Sequence, residues 1–372
     1  MNNNREVLFA LLRAGLWEQD VRLSAFNSID YKQVFRLARE QSVVGLVAAG
    51  LEHVIDVKVP KKDMIYFAGC ALQIEQKNRM MNDYIAELIT QLRDAGINAL
   101  LVKGQGIAQC YNRPLWRMCG DVDLLLDQVN YEKAKQLLLP LAANVMPEVD
   151  YEKHIGMSLG LWTVELHGTM RSGFMNKMDR VVDMVVADTV DNEKVRIWYN
   201  GETEIPIPIA DNDVVFVFAH ILKHLFNSGV GLRQICDLYR LLLTYRKEID
   251  VKLLGERLND MGVMAEWKTL AVIAVEWLGM PKDEFPHYDS SVCYRLKARR
   301  IVNYILDTGN FGNNRDNTYQ KTCPWLLKKM ISFWRHTGNA FRLFFVYPMD
   351  SILVWWRLLG DGLKIAVLEL KK

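Results

Sequence analysis

Two aspartates one residue apart open an apolar run in the middle of the chain. The segment reads R-M-C-G-D-V-D-L-L-L over residues 117–126, with Asp121 and Asp123 at its centre. In a strand, residues i and i+2 point to the same face, so both carboxylates project together while Val122 points into the core. Adjacent carboxylates repel unless a cation lies between them or one of them is protonated. Because Mg²⁺ prefers oxygen ligands and substrate phosphates, the pattern predicts a Mg²⁺–nucleotide site, although solvated turns contain it too.

Residues on either side of this segment add groups that suit phosphate or metal. Gly104 lies 17 residues before Asp121 in L-L-V-K-G-Q-G, where a strand-to-helix turn lets backbone N–H groups approach an anion. Lys103 adds a point charge, and Arg117 adds a guanidinium that can bind phosphate through two hydrogen bonds. Downstream, Glu165 in V-E-L-H is either a solvent-facing residue or a third ligand. If its strand pairs beside DVDLLL, three carboxylates form one cluster.

Histidines offer a second set of candidates. His220 and His224 are four residues apart and therefore share one helix face. That spacing can bind zinc, but no H-E-x-x-H glutamate accompanies it, so we expect this face to line the cleft. His167 shares the strand face of Glu165, where it either lines the acceptor pocket or orients Glu165 by a hydrogen bond.

Basic residues of the following helices are also ambiguous. Lys223 and Arg233 are placed to meet phosphate if their helices pack over the carboxylates. The alternative for Arg233 is a pair with Asp237 one helical turn later, which contributes only a few tenths of a kcal/mol. Cys119 lies beside the aspartates, and we expect it to pack rather than react.

The composition limits the classes of protein that fit. The chain has 372 residues, half of them apolar, which predicts two or three packed units. Its 46 basic and 44 acidic residues give a net charge of +2, so we expect no nucleic-acid partner. The six cysteines form no C-x-x-C pair, which favours a reduced, cytoplasmic compartment. Neither a signal peptide nor a transmembrane helix is expected.

Apolar periodicity divides the chain into four parts and predicts an α+β fold. Three- and four-residue spacing predicts a helical N-terminal region over 1–95, and a change of period marks a small mixed β-sheet core over 96–210. Helical spacing returns over 211–306 in a domain that we expect to cover the cleft. A polar loop over 307–320 then precedes the C-terminal segment, 324–372.

Short apolar segments supply the strands of the core. INALLVKG (97–104), DVDLLL (121–126) and LWTVELHG (161–168) are predicted strands. KVRIWYN (194–200) is a weaker strand, and IPIPIA (205–210) is predicted to form an extended edge because proline cannot donate to a ladder.

The C-terminal segment is rich in aromatic and basic residues. It holds Trp325, Trp334, Trp355 and Trp356, and eight Lys/Arg against three Asp/Glu. A basic, aromatic helix can lie on a membrane surface, so peripheral membrane contact is one interpretation. We favour the other, a docked helical hairpin whose aromatic residues belong to the core.

Several of these segments resemble one family. L-L-V-K-G-Q-G-I-A-Q-C-Y, R-P-L-W-R-M-C-G-D-V-D-L-L-L, V-E-L-H and H-I-L-K-H-L-F-N-S-G-V-G-L-R-Q-I-C-D-L resemble the bacterial family called uncharacterised nucleotidyltransferase, over about residues 30–250. That family belongs to the DNA polymerase β-like nucleotidyltransferase superfamily. One position departs from the usual pattern of glycine followed by glycine or serine: Gln105 follows Gly104, and Gly106 comes one place later. The grip on the triphosphate is therefore expected to differ.

The resemblance implies a reaction as well as a fold. It implies that Asp121 and Asp123 hold two Mg²⁺ ions, or Mn²⁺, that Glu165 holds the catalytic one, and that these three residues are catalytic. A nucleoside monophosphate would pass from an NTP co-substrate to an unidentified small-molecule or protein acceptor, with release of pyrophosphate. The alternatives are a catalytically inactive nucleotide-binding or interaction module and a membrane-surface assembly factor. The expected substrate-binding residues are Lys103, Gly104, Gly106, Arg117, Gly120, His167, Lys223 and Arg233.

Overall fold

The computed structural model describes residues 3–149, 151–173, 175–312, 314 and 323–370. The predicted helical N-terminal region is present, although the continuous helical pattern over 31–52 is divided into two helices. Ser42 adopts a φ of 56° between them, a conformation that no α-helix accommodates. The four helices of this region are α1 (Asn3–Trp17), α2 (Tyr31–Glu40), α3 (Val44–Glu52) and α4 (Lys61–Asp94).

A five-stranded mixed sheet forms the centre of the molecule. Its strands have the spatial order β1-β2-β5-β4-β3. β2 and β5 pair in parallel, and the other neighbours are antiparallel. The predicted strands β1, β2 and β5 are therefore adjacent, whereas β3 and β4 were not predicted. The bounds are β1 (Leu100–Val102), β2 (Asp121–Leu125), β3 (Asn144–Val145), β4 (His154–Leu159) and β5 (Trp162–His167).

A second sheet is a single hairpin, and helices connect the remaining elements. β6 (Val195–Asn200) and β7 (Thr203–Pro208) match the two weaker predicted segments. The predicted loop over 307–320 begins inside a helix, and residues 313 and 315–320 lie outside the described residues. The helices are α5 (Gly104–Ala108), α6 (Gln128–Leu138), the unpredicted α7 (Asn176–Val190), α8 (Ala210–Phe226), α9 (Leu232–Thr244), α10 (Val251–Met261), α11 (Met264–Val272) and α12 (Val292–Thr308).

The two faces of the larger sheet have different roles. One face packs into an apolar cluster with α4 and α6, and Val122 and Leu124 are 1% and 0% exposed within it. The prediction that Val122 enters the core is therefore confirmed. Since side chains alternate along a strand, Asp121 and Asp123 lie on the opposite face, which is turned toward α8 and α9.

The C-terminal segment forms two helices, α13 (Trp325–Phe344) and α14 (Pro348–Leu370), which pack against each other. Tyr347 is buried between this hairpin and the preceding helices, so the predicted docking is confirmed. The prediction of an aromatic core is wrong for Trp334 and Trp356, which are 67% and 61% exposed, because their helix faces turn away from the body of the protein. Within the described ranges, every helix is too short or too polar to cross a membrane. Peripheral membrane contact stays a prediction.

A pair of carboxyl groups attaches the hairpin to the helical domain. Glu266 of α11 is 2% exposed, and its side chain is hydrogen bonded to that of Asp350 at the start of α14. Burial, followed by the charge of Asp350, raises the pKa of Glu266 from 4.5 to about 8. The Glu266–Asp350 pair therefore holds a proton between its two carboxyl groups at neutral pH.

This shared proton makes stability depend on pH. Because the folded chain binds it more tightly than the unfolded chain does, the Glu266 contribution to the free energy of unfolding falls as pH rises from about 4.5 to about 8. Glu266→Gln keeps a hydrogen-bond donor and does not titrate, so its stability profile should fall less steeply over that range. Urea unfolding between ~pH 5 and ~pH 9 measures the difference.

The matched control is Glu276→Gln, because Glu276 is a partly exposed glutamate paired with Arg295 at 2.6 Å. It should keep the wild-type slope. A Glu266→Gln profile that runs parallel to that of the wild type would contradict the shared proton.

Candidate active site

Strand register brings acidic and histidine side chains together on one sheet face. The parallel pairing of β2 and β5 puts Asp123 opposite Glu165. Asp121 and His167 lie two residues away on the same two strands and therefore on the same face. The three carboxylates that the sequence predicted to cluster thus share one sheet face. The neighbouring strand β4 adds His154, which is directly opposite His167.

A cavity of about 340 Å³ lies over this face. The sheet and the turn after β1 form one wall, and α8 and α9 form the other. The expectation that His220 and His224 line a cleft agrees with this arrangement, since both lie on its α8 side. The helix residues that line the cavity are Val217, His220, Lys223, His224, Arg233, Gln234 and Asp237.

Lys103 and His167 both contact one carboxylate oxygen. Lys103 Nζ is 2.7 Å from Asp123 Oδ1, and His167 Nε2 is 2.8 Å from the same atom. Burial alone would raise the pKa of Asp123, but Lys103 and His167 hold it well below its usual range. The carboxylates in turn raise the pKa of Lys103 despite its burial. The lysine that the sequence analysis assigned to phosphate is therefore paired with a carboxylate.

The other two carboxylates differ in their surroundings. Burial, followed by the charges of Asp123 and Glu165, raises the pKa of Asp121 to about 6. Glu165 Oε2 is 3.0 Å from His154 Nε2, and this hydrogen bond lowers the pKa of Glu165 against the effect of burial. Burial and Lys103 lower the pKa of His167 to about 4, so its imidazole is neutral at pH 7.

These carboxylates suit a divalent cation. Asp121, Asp123 and Glu165 are oxygen ligands on one face, and Lys103 is a monovalent countercharge among them. Burial is the main cause of the raised pKa of Asp121, and Asp123 and Glu165 raise it further by more than Lys103 lowers it, so Lys103 does not offset the negative charge completely. A hard dication would offset it, and carboxylate oxygens are its preferred ligands.

The turn between β1 and α5 has a strained backbone. Lys103 has a φ of 58° and a ψ of −144°, and Gly104 follows with a φ of 41°. A Cβ on Gly104 would lie 3.4 Å from Cys119 Sγ, so the turn packs closely against the entry to β2. Helix α5 has only five residues, so the predicted helix N-terminal anion site amounts to a single turn.

Two predicted substrate contacts lie outside the cavity lining. Gly106 faces β7, where a Cβ would lie 3.3 Å from the side chain of Ile207. Gly120 is exposed, with open space around it, before β2 begins. The structure therefore brings neither glycine into the group of charged side chains described above.

Gln105, the departure from the family pattern, points toward α4. Its Nε2 donates a hydrogen bond to Asn78 Oδ1 at 2.8 Å. Asn78 Nδ2 donates to the backbone oxygens of Leu115 at 2.7 Å and of Arg117 at 2.8 Å. Gln105 thus connects the glycine turn to the segment that precedes β2.

Arg117 is committed to an ion pair with α9. Its side chain is 4% exposed, with Nε 3.0 Å from Asp237 Oδ1 and Nη2 2.6 Å from Asp237 Oδ2. Tyr111 donates its hydroxyl to Asp237 Oδ1 at 2.8 Å. The two donors that the sequence analysis assigned to phosphate are therefore used by a carboxylate, because a guanidinium suits both anions equally well.

Arg233 remains as a basic side chain of the cavity wall. The alternative pair with Asp237 is not formed, since Arg117 takes that carboxylate. Arg233 Nη1 instead donates to the backbone oxygen of Met118 at 3.0 Å. Lys223, by contrast, is 2.6 Å from Glu152. Of the basic residues lining the cavity in the described part of the chain, Arg233 is the one without a carboxylate within 4.0 Å.

His154 was missed by the sequence analysis, although a signal for it exists. The segments H-I-G-M-S-L and W-T-V-E-L-H flank the dipeptide Gly160-Leu161. Two extended runs around a two-residue turn that begins with glycine predict a hairpin, and Gly160 has the required positive φ, 57°. That hairpin places His154 opposite His167.

Comparison with models of known protein families identifies the family of this chain. The model of a family described as uncharacterised nucleotidyltransferase matches residues 27–279, and the chain belongs to that family. The family prediction is therefore confirmed, and the description indicates a transferase. Searches of curated proteins and of solved structures found no match.

The Arg117–Asp237 pair predicts a large stability effect. Arg117→Met leaves a buried carboxylate without its cation, and we expect unfolding to become easier by about 3–5 kcal/mol. Combining it with Asp237→Leu removes both charges and should recover much of that loss. Arg79→Met is the control, because Arg79 pairs with Glu75 on the surface and should cost less than about 1 kcal/mol.

Urea unfolding of all four proteins measures these differences. If Arg117→Met instead unfolds like the wild type but loses affinity for nucleotide, Arg117 is the phosphate contact that the sequence suggested.

Proposed function

We propose that this protein is a Mg²⁺-dependent nucleotidyltransferase that moves a nucleoside monophosphate from an NTP to a small-molecule or protein acceptor. The observation that supports this most is the convergence of Asp121, Asp123 and Glu165 inside one cavity, in a chain of a nucleotidyltransferase family. A mixed sheet carrying these carboxylates also fits our assignment to the DNA polymerase β-like superfamily.

In this proposal the three carboxylates hold the metal, as Mg²⁺ or Mn²⁺. When bound, the cations supply Lewis-acid stabilisation of the charge that develops on the α-phosphate. Lys103 keeps Asp123 ionised and in place through its 2.7 Å contact. Glu165 is kept ionised by His154 and can accept the proton of the acceptor hydroxyl on a carboxylate oxygen.

Arg233 and Lys223 are the proposed phosphate contacts on the helical wall. Arg233 has a guanidinium held by one backbone oxygen and by no carboxylate among the residues described, so its remaining donors suit phosphate oxygens. Lys223 forms an ion pair with Glu152, so it is the weaker of the two candidates for a phosphate contact. Gly104 lines the cavity within the strained turn, and we propose that its backbone faces the phosphates there.

We also propose that the enzyme is cytoplasmic and that its acceptor is not a nucleic acid. A net charge of +2 gives no reason for a nucleic-acid acceptor, and a sequence without a C-x-x-C pair fits the reduced cytoplasm in which we place this enzyme, as a protein of bacterial type. The rival function is an inactive module that binds nucleotide without turnover, which the following experiment separates from an enzyme.

Replacing both central aspartates should abolish the reaction. The full chain is incubated with Mg²⁺ and each α-labelled NTP against a pool of metabolites and proteins. Asp121→Asn with Asp123→Asn removes two metal ligands, so we expect label transfer to fall at least about a hundredfold. Asp83→Asn with Asp94→Asn, two exposed aspartates of α4, is the matched control and should transfer label normally.

Label transfer that survives the double substitution at 121 and 123 would exclude the mechanism. Metal-dependent NTP binding without any transfer in the wild type would support the inactive module instead.

Arg233 should affect nucleotide binding more than turnover. Arg233→Gln removes a charged donor of the cavity wall, so we expect KM for the NTP to rise about tenfold to a hundredfold with kcat little changed. Initial rates over a range of NTP concentrations measure both constants. Arg180→Gln changes an exposed arginine and should leave KM as it is. An unchanged KM in Arg233→Gln would remove Arg233 from the site.

A further inference from the structure

Two imidazole nitrogens converge on one carboxylate oxygen in the cavity. His154 Nε2 is 3.0 Å from Glu165 Oε2, and His167 Nε2 is 3.6 Å from the same oxygen. The three ligand atoms all lie within 4.8 Å of one another. Donor atoms around a single small cation have this spacing.

The sheet itself builds this group. His154 and His167 are directly opposite in the antiparallel pair of β4 and β5, and their rings stack with centroids 4.7 Å apart and planes 18° from parallel. Glu165 lies two residues before His167 and therefore on the same face. All three side chains line the cavity. Regular strand pairing thus fixes the positions of all three donors.

We propose that His154, Glu165 and His167 bind one divalent transition-metal ion. Two imidazole nitrogens with a carboxylate suit Mn²⁺, Fe²⁺, Co²⁺ or Zn²⁺, whereas Mg²⁺ prefers oxygen ligands alone. Metal–ligand bonds of about 2.0–2.2 Å require neighbouring donors to lie about 3–3.6 Å apart. The two distances to Glu165 Oε2 match that requirement.

This site shares Glu165 with the proposed transfer centre, so it deepens that function by naming the class of metal held there. The carboxylates Asp121 and Asp123 provide the position that suits Mg²⁺. Lys103 lies 2.7 Å from Asp123 Oδ1, so its charge is offset first by that carboxylate and to a smaller extent by Glu165. The metal binding itself does not require the transfer reaction.

The competing explanation is that the histidines only orient carboxylates. His154 would then donate to Glu165 and His167 to Asp123, with no metal–nitrogen bond. Pulsed electron paramagnetic resonance separates the two, because Mn²⁺ bound to imidazole shows couplings to ¹⁴N and Mn²⁺ bound only to oxygen does not.

The experiment uses the full chain, treated with a chelator and titrated with Mn²⁺ in the presence of excess Mg²⁺. We expect one Mn²⁺ with ¹⁴N couplings in the wild type. His154→Gln and His167→Gln should each weaken this Mn²⁺ binding at least tenfold and diminish the couplings. The control is His53→Gln, because His53 contacts Glu18 at 2.7 Å outside the cavity with the same side-chain exposure, 22%, as His154.

The wild-type spectrum alone shows whether imidazole nitrogen binds the Mn²⁺, even if a variant does not fold. Bound Mn²⁺ without nitrogen couplings, or Mn²⁺ fully displaced by Mg²⁺, would overturn the proposal. Nitrogen couplings in a protein that transfers no label would leave this site standing and refute the proposed function. Label transfer by a protein whose Mn²⁺ has oxygen ligands alone would support the proposed function and overturn the proposed His154–Glu165–His167 site.

Discussion

Repulsion among three carboxylates on one sheet face is the constraint that the surrounding structure answers. Parallel pairing of β2 and β5 fixes Asp123 beside Glu165, and no rearrangement of side chains can separate strands that are hydrogen bonded. In a buried setting like charges interact strongly, so each carboxylate needs a partner. Lys103 and His167 are the partners of Asp123, and His154 is the partner of Glu165. Burial and then the charges of Asp123 and Glu165 raise the pKa of Asp121, and a bound cation would relieve the repulsion.

The second wall of the cavity depends on a different buried charge pair. Arg117 precedes β2 and Asp237 lies on α9, so their two hydrogen bonds connect segments 120 residues apart. On the same helix, Arg240 donates to the backbone oxygens of Cys110, in the turn after α5, and of Leu16 in α1. Guanidinium groups therefore hold α9 against the segment before β2, the turn after α5 and helix α1.

Local sequence patterns predicted the helices and strands of this fold better than they predicted which elements and side chains contact each other. The alternation of Asp121 and Asp123 with Val122 identified β2 and its buried face, because that signal lies within five residues. Pairing between strands far apart in the sequence, such as β2 and β5, is not contained in any local pattern. His154 was missed for a different reason, because the local hairpin signal at Gly160 was overlooked. Arg117 was assigned to phosphate because the sequence shows only a guanidinium group. The fold shows that this group forms an ion pair with Asp237.

The departure at Gln105 bears on whether the site is active. In a family pattern of two small residues, a glutamine suggests a blocked phosphate loop. Gln105 is buried and hydrogen bonded to Asn78, so its side chain leaves the cavity free. Gln105 therefore replaces the small residue of the family pattern because its side chain packs against Asn78, on the side of the turn away from the cavity. Clustered, partly buried carboxylates are costly to a fold that does not use them, since neutral side chains of similar size would remove the repulsion. Their presence with an open cavity above them favours an enzyme over an inactive module.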